Sequence, residues 1–183
     1  MQHYFIGVKL PEGLAKQLVD FRNEWQLELS HKRLPVAEDL HITLVYLGAV
    51  EAEVLTKLIS ELNELAEVIP HFTLTLSGVE TFGNPSTPRV IYTSIEEQPM
   101  LYKLQNTILE KCLALLLPVD RKPFVPHITL AKKWNEKLDV FSKEMHIDKI
   151  SFNIRDFSIY SINPKEVPSY QPVHTIFLKD LTT

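Results

Sequence analysis

Apolar and polar positions in this chain follow two periods, and the changes between them mark its elements. Tyr4–Leu10 reads as a strand. In Pro11–Leu29, Leu14, Leu18, Phe21, Trp25 and Leu29 recur at spacings of three and four, which predicts an amphipathic helix with Pro11 in its first turn. His31–Asp39 is polar and reads as a connection. Leu40–Leu47 is a strand stopped by Gly48, and Glu51–Val68 a second helix with Val54, Leu58, Leu62, Leu65 and Ile69 on one stripe. Phe72–Phe82 alternates Phe72, Leu74 and Leu76 with Thr73, Thr75 and Ser77, the pattern of a half-buried strand. The Gly83–Pro88 loop marks the midpoint, and Arg89–Ile95 is the next strand. A helix over Pro99–Leu117, a connection over Pro118–Pro126 and a strand over His127–Lys132 follow. A short helix over Glu136–Met145 and strands over Asp148–Ile162 and Val173–Leu178 complete the series.

This order repeats. Each half begins with a strand, a long helix and a strand, and the offset from Tyr4 to His41 equals that from Val90 to His127, 37 residues in each case. The two strands so matched open with the same tetrapeptide, His-Ile-Thr-Leu, at His41–Leu44 and His127–Leu130. Successive strand side chains point to opposite faces. His41 and Thr43 therefore share one face, as do His127 and Thr129, with the Ile and Leu of each copy behind them. Such a duplication predicts lobes of approximately 1–83 and 89–183 within one domain. The motifs would meet at the pseudo-symmetric interface, where ligand clefts commonly form. Two imidazoles and two hydroxyls would then surround one small anionic group.

Composition narrows the choice of ligand. The 183 residues suit one compact domain. A net charge of −4 and a pI of about 6.0 argue against a long nucleic acid held along a basic face. They favour a small ligand or one end of a nucleic acid, with Arg33, Arg89, Arg121, Lys122, Lys132 and Lys133 as local cations. The single cysteine, Cys112, lies in an apolar run and reads as a buried hydrophobe. Cys/His zinc spacing is absent. The chain has no signal-like N-terminus and no long apolar stretch, so the expectation is a cytoplasmic protein with no membrane partner.

The motifs and their flanks resemble the two-histidine phosphoesterase superfamily, and within it the RNA 2′,3′-cyclic phosphodiesterases historically called 2′-5′ RNA ligases. The resemblance rests on Leu40–Gly48, on Phe82-Gly83 through Pro88-Arg89-Val90, and on Phe124-Val-Pro-His-Ile-Thr-Leu-Ala-Lys132. It implies an α+β fold of two pseudo-symmetric lobes, whose antiparallel sheets form a central cleft with helices outside. It also implies His41 as the proton donor to the leaving sugar oxygen and His127 as the base on water, giving a 2′-phosphate. The chemistry alone allows the two roles to be exchanged, because an unperturbed imidazole takes either proton state near neutrality. Thr43 and Thr129 would donate to the non-bridging phosphate oxygens. Lys132 would neutralise charge; many relatives have Arg there, and Lys keeps the charge without the bidentate fork.

No metal or other cofactor is expected, since two histidines without a carboxylate cluster make a poor divalent site. Tyr46 and Phe124 are candidate cleft aromatics, while Phe5, Phe82 and Tyr170 read first as packing. Arg89 and Arg121 read as solvated surface. His3, His31, His71, His146 and His174 lack a Thr two residues on and read as structural or exposed. The expected partners are RNA ends or cyclic nucleotides, met by a monomer. Three other readings stand beside hydrolysis: 2′-5′ ligation by the reverse chemistry, a non-catalytic nucleotide or RNA-end binding module, and a structural protein with accidental repeats.

Overall fold

The computed structural model describes residues 1–180. In chain order the elements are β1 (His3–Lys9), α1 (Glu12–Glu24), β2 (His31–Arg33), β3 (His41–Ala49), α2 (Ala52–Ala66) and β4 (Phe72–Asn84). They continue with β5 (Thr87–Ile95), α3 (Pro99–Ala114), β6 (His127–Trp134), β7 (Ser151–Ile154), β8 (Asp156–Ile162) and β9 (Tyr170–Phe177). The strands pair antiparallel in the order β7-β4-β5-β6-β3-β1-β8-β9, with β2 added to the far end of β6. This is the expected α+β architecture, a curled antiparallel sheet with three helices packed on it.

The halves of the sheet are not contiguous stretches of chain. β4 leaves the first half to pair with β5 and β7, while β8 and β9 return to lie beside β1. The sheet therefore does not divide at the expected boundary between 1–83 and 89–183. The reason is the turn at Pro85–Ser86, where the expected midpoint loop is a tight β4–β5 hairpin. The Asn84 side-chain oxygen accepts the Ser86 N–H at 2.9 Å there.

Several element boundaries differ from the sequence reading. α1 ends at Glu24, a left-handed Gln26 (φ 53°) follows, and Leu29 is exposed in a short 3₁₀ turn. The connection before His41 contains β2 and another 3₁₀ turn at Ala37–Asp39. Glu136–Met145 is irregular instead of helical. Phe141 and Met145 turn inward against Leu27, Ile91 and Ala131, and that packing overrides the local helical spacing. The long strand expected over Asp148–Ile162 is divided at Arg155 into β7 and β8.

One core joins the sheet to the helices. Ile42, Leu44, Ile128 and Leu130 from the two motifs pack with Leu14 and Leu18 of α1, Leu58 and Leu62 of α2, and Leu101, Leu104 and Ile108 of α3. Burying each such side chain contributes roughly 1.5–3 kcal/mol, so the apolar halves of the motifs fix both strands to the helical layer. Cys112 belongs to this core, and burial pushes its thiol up to about 12. Among the described residues no helix is long and apolar enough to cross a membrane.

Candidate active site

The motif strands touch at one registered pair, Ile42 opposite Ile128. Beyond it they diverge, β6 running on to β2 and β3 to β1. An antiparallel register centred on the two isoleucines sets His41 opposite Thr129 and Thr43 opposite His127. The isoleucines are fully buried on the helical side, so these four side chains face the concave side. They line one cavity of about 140 Å³ together with Pro35, Asp39, Lys132 and Tyr170.

Strict alternation would have sent Lys132 to the wrong face. The β5–β6 ladder pairs Ile91 with Ala131 and Tyr92 with Thr129, so Leu130 is an extra, bulged residue. A β-bulge shifts the side chains beyond it to the other face. Leu130 and Ala131 are both buried in consequence, and Lys132 rejoins His127 and Thr129 at the cavity. The first motif has the same device. The β1–β3 ladder pairs Ile6 with Val45 and Gly7 with Thr43, leaving Leu44 bulged and carrying Tyr46 to the concave side.

Each bulge carbonyl is met by a helix side chain. The buried Arg22 of α1 donates from Nη1 to Leu130 O at 3.2 Å and also to Pro35 O. Gln105 of α3 donates to Leu44 O at 3.4 Å. Burial lowers the Arg22 pKa, with Glu28 opposing that shift. Its two carbonyl bonds link α1 to the loop before His41 and to the strand that carries Lys132.

The histidines are oriented alike. His41 Nδ1 donates to Asp39 O at 2.7 Å, and His127 Nδ1 donates to Val125 O at 2.7 Å. A backbone carbonyl at Nδ1 fixes the neutral tautomer with its lone pair on Nε2. His41 Nε2 accepts the Thr43 hydroxyl at 2.9 Å. Burial is the main reason that His41 is lowered to about 4, and the charges of Lys132 and His127 act in the same direction; the bond to Asp39 O opposes them. Burial also lowers the Lys132 ammonium, helped by Arg33 and Lys133.

Aromatic rings wall both imidazoles. Phe5 lies 4.6 Å from the His41 ring and Tyr170 meets it edge-on at 5.0 Å. Phe82 and Tyr92 approach His127 at 5.0 and 5.3 Å. Phe5, Phe82 and Tyr170 pack as expected, but against the site. Asp39 is a supporting residue that no motif in the sequence marks. The Asp39 carboxylate accepts the N–H groups of Ser169 (2.8 Å) and Tyr170 (3.0 Å), tying the β8–β9 connection to the residue whose carbonyl holds His41. The one available signal was its position two residues before the motif.

Two grooves extend from the cavity. One, of about 640 Å³, runs past Arg33, Lys132, Tyr46 and Tyr170. The other, of about 390 Å³, runs past Phe82, Phe124 and His127, with Tyr46 on its rim. Arg89 and Arg121 line none of these spaces. His31 is buried, contacting Ser30 Oγ and donating to Pro88 O at 2.9 Å. His3 contacts the Tyr46 hydroxyl, His146 contacts Asp148 and His174 contacts Asn63. None of these four histidines, nor His71, lines the cavity. No group of three or more His, Cys, Asp or Glu poised for a metal occurs among the described residues.

A family model described as the 2′-5′ RNA ligase superfamily matches residues 10–166. An RNA 2′,3′-cyclic phosphodiesterase of Bacillus subtilis (strain 168) is 31% identical over 174 residues, covering 93% of each chain. A Geobacillus stearothermophilus protein of the same name is 29% identical over 174 residues, covering 93% of this chain; the match spans only 55% of that longer protein. The crystal structure of E. coli LigT complexed with 3′-AMP superposes with a TM-score of 0.82 at 24% identity, over 97% of this chain and 98% of that one.

Proposed function

This chain belongs to the 2′-5′ RNA ligase superfamily, and on that premise we propose that it hydrolyses 2′,3′-cyclic phosphates at RNA ends or on nucleotides to 2′-phosphomonoesters. The observation that carries the reading is the pair of imidazoles, each held at Nδ1 by a backbone carbonyl, lining one cavity with two threonines and a lysine. Water attacks phosphorus while His127 Nε2 accepts its proton. The bond from phosphorus to the 3′ oxygen breaks, and His41 Nε2 delivers a proton to that oxygen.

With its pKa lowered to about 4, His41 is neutral near pH 7, so its role as donor requires a proton acquired with the ligand. A phosphate anion beside an imidazole favours the charged ring and offsets the burial that holds it down. Once Nε2 carries a proton it no longer accepts from Thr43. The Thr43 hydroxyl is then released toward a phosphate oxygen, matched by Thr129, while Lys132 neutralises charge as it develops. The two imidazoles supply both proton transfers, so the proposed reaction is metal-independent, and the protein is proposed to act as a monomer. Its proposed ligands are RNA ends or cyclic nucleotides, and its proposed compartment is the cytoplasm.

Purified protein incubated with a 2′,3′-cyclic nucleotide and a chelator tests the proposal. Hydrolysis should yield the 2′-phosphate, and His41→Ala and His127→Ala should each lose about 10²–10⁴-fold in kcat. No turnover by the wild type, or full activity in either variant, refutes it.

A further inference from the structure

Arg33 and Lys132 stand directly opposite one another across the β2–β6 ladder. Directly opposed residues in an antiparallel pair hold their side chains on one face about 5 Å apart at Cβ, and like charges placed so are destabilising. The Asp39 carboxylate offsets part of the Lys132 charge through space without bonding to it. Neither side chain has an ion pair or hydrogen bond among the described residues, and the neighbouring Lys32 is engaged with Glu136. The one adjacent carboxylate, Asp39, has its oxygens on the N–H groups of Ser169 and Tyr170.

The two cations occupy different parts of the cleft. Lys132 lines both the cavity and the larger groove, whereas Arg33 lines only the groove. One phosphate in the cavity accounts for Lys132 and leaves Arg33 without a role. A ligand running from the cavity into the groove would pass Lys132 and reach Arg33. In a nucleotide whose cyclic phosphate sits between the histidines, the 5′ oxygen is the next point at which an anion can be attached.

We propose that Arg33, with Lys132, forms a second phosphate subsite for the group on the 5′ oxygen of the terminal nucleoside, so that the preferred substrate carries a phosphate there in addition to the cyclic one. This rests on the hydrolase reading above. The phosphate can be the internucleotide diester of an RNA chain or the monoester of a free nucleotide. Val36 and Pro164 also line this groove, whose volume of about 640 Å³ leaves room for the chain.

The test compares four ligands ending in the same adenosine 2′,3′-cyclic phosphate: the mononucleoside, its 5′-phosphorylated form, the ApA dinucleotide, and that dinucleotide with a neutral methylphosphonate link. The phosphodiester dinucleotide should exceed its methylphosphonate twin about tenfold in kcat/KM, the scale of one charge-assisted contact at a wet site. Arg33→Ala should bring that ratio close to one, and Arg33→Lys should keep part of it. The salt dependence of log kcat/KM for the diester should lose about 0.7 in slope in Arg33→Ala, the increment for one phosphate contact on a single strand. A comparable advantage for the 5′-phosphorylated mononucleotide assigns the subsite to either source of phosphate; its absence assigns it to the RNA chain. A wild-type ratio near one, or a ratio that survives Arg33→Ala, overturns the subsite. If no ligand is turned over, the same ratios are read from dissociation constants: a charge preference lost in Arg33→Ala then upholds the subsite while the hydrolase reading falls.

Discussion

Burial of His41 creates a proton equilibrium that can be measured residue by residue. The ordinary imidazole pKa is 6.5, and in the folded protein this ring is lowered to about 4. At 1.36 kcal/mol per pH unit, that gap corresponds to at most about 3 kcal/mol. The residue keeps some solvent exposure, so the actual figure lies below that limit. The sign follows from linkage. The unfolded chain binds the proton more readily than the folded one, so the contribution is complete above pH 6.5. It declines as pH falls through the window down to about 4, and below that no further loss arises from this group. NMR titration of labelled histidine gives the pKa directly, and urea unfolding between pH 4 and 7 gives the energy. The wild type should lose more stability across that window than His41→Asn, which has no proton to take up. Adding a phosphate anion should raise the His41 pKa, because the anion stabilises the imidazolium. Lys132→Met should raise it less, because only the lysine charge is removed and burial remains. A ligand-free His41 that titrates near 6.5, or an unfolding profile identical in His41→Asn, refutes both the burial argument and the ligand-induced protonation built on it.

Three further outcomes follow from the supports of the site. Asp39→Ala removes the acceptor for two backbone N–H groups and should cost about 2–4 kcal/mol in urea unfolding; it should also raise KM, because Tyr170 is no longer held against His41, and an unchanged KM would count against that role. Arg22→Ala leaves the carbonyls of Pro35 and Leu130 without their buried donor and should cost a similar amount, about 2–4 kcal/mol, with a KM increase that Arg22→Lys partly recovers. A Cβ at Gly7 would lie 2.8 Å from Ile42 O and 2.9 Å from Phe5 Cε2; Gly7→Ala should therefore cost about 1–3 kcal/mol and lower kcat by shifting the His41 strand. Gly13→Ala, with nothing within 4 Å of the added carbon, serves as its control and should change stability by no more than about 1 kcal/mol.

The apolar stripes were legible because they are local. Leu14 and Leu18, Leu58 and Leu62, and Leu101, Leu104 and Ile108 all lie in the core as their spacing required. Errors gathered where a distant partner decided the outcome. Glu136–Met145 has helical spacing, yet Phe141 and Met145 are drawn to Ile91 and Ala131. The stretch 83–88 has loop composition, yet register with β5 makes it a hairpin.

The site divides in the same way. His-Ile-Thr-Leu by itself determined that an imidazole and a hydroxyl share one face of each strand, because side chains two residues apart are adjacent in any strand. Strict alternation along the string puts Lys132 on the opposite face from His127 and Thr129. Only the bulge at Leu130 settled the matter, and a bulge is a mismatch with β5 that no single strand encodes. Tertiary structure also set Ile42 against Ile128, placed Arg33 opposite Lys132, returned the β8–β9 connection to Asp39 and held His41 neutral. Each of these depends on distance through space and on exclusion of water, and residues far apart in the chain acquire both only once the sheet has curled.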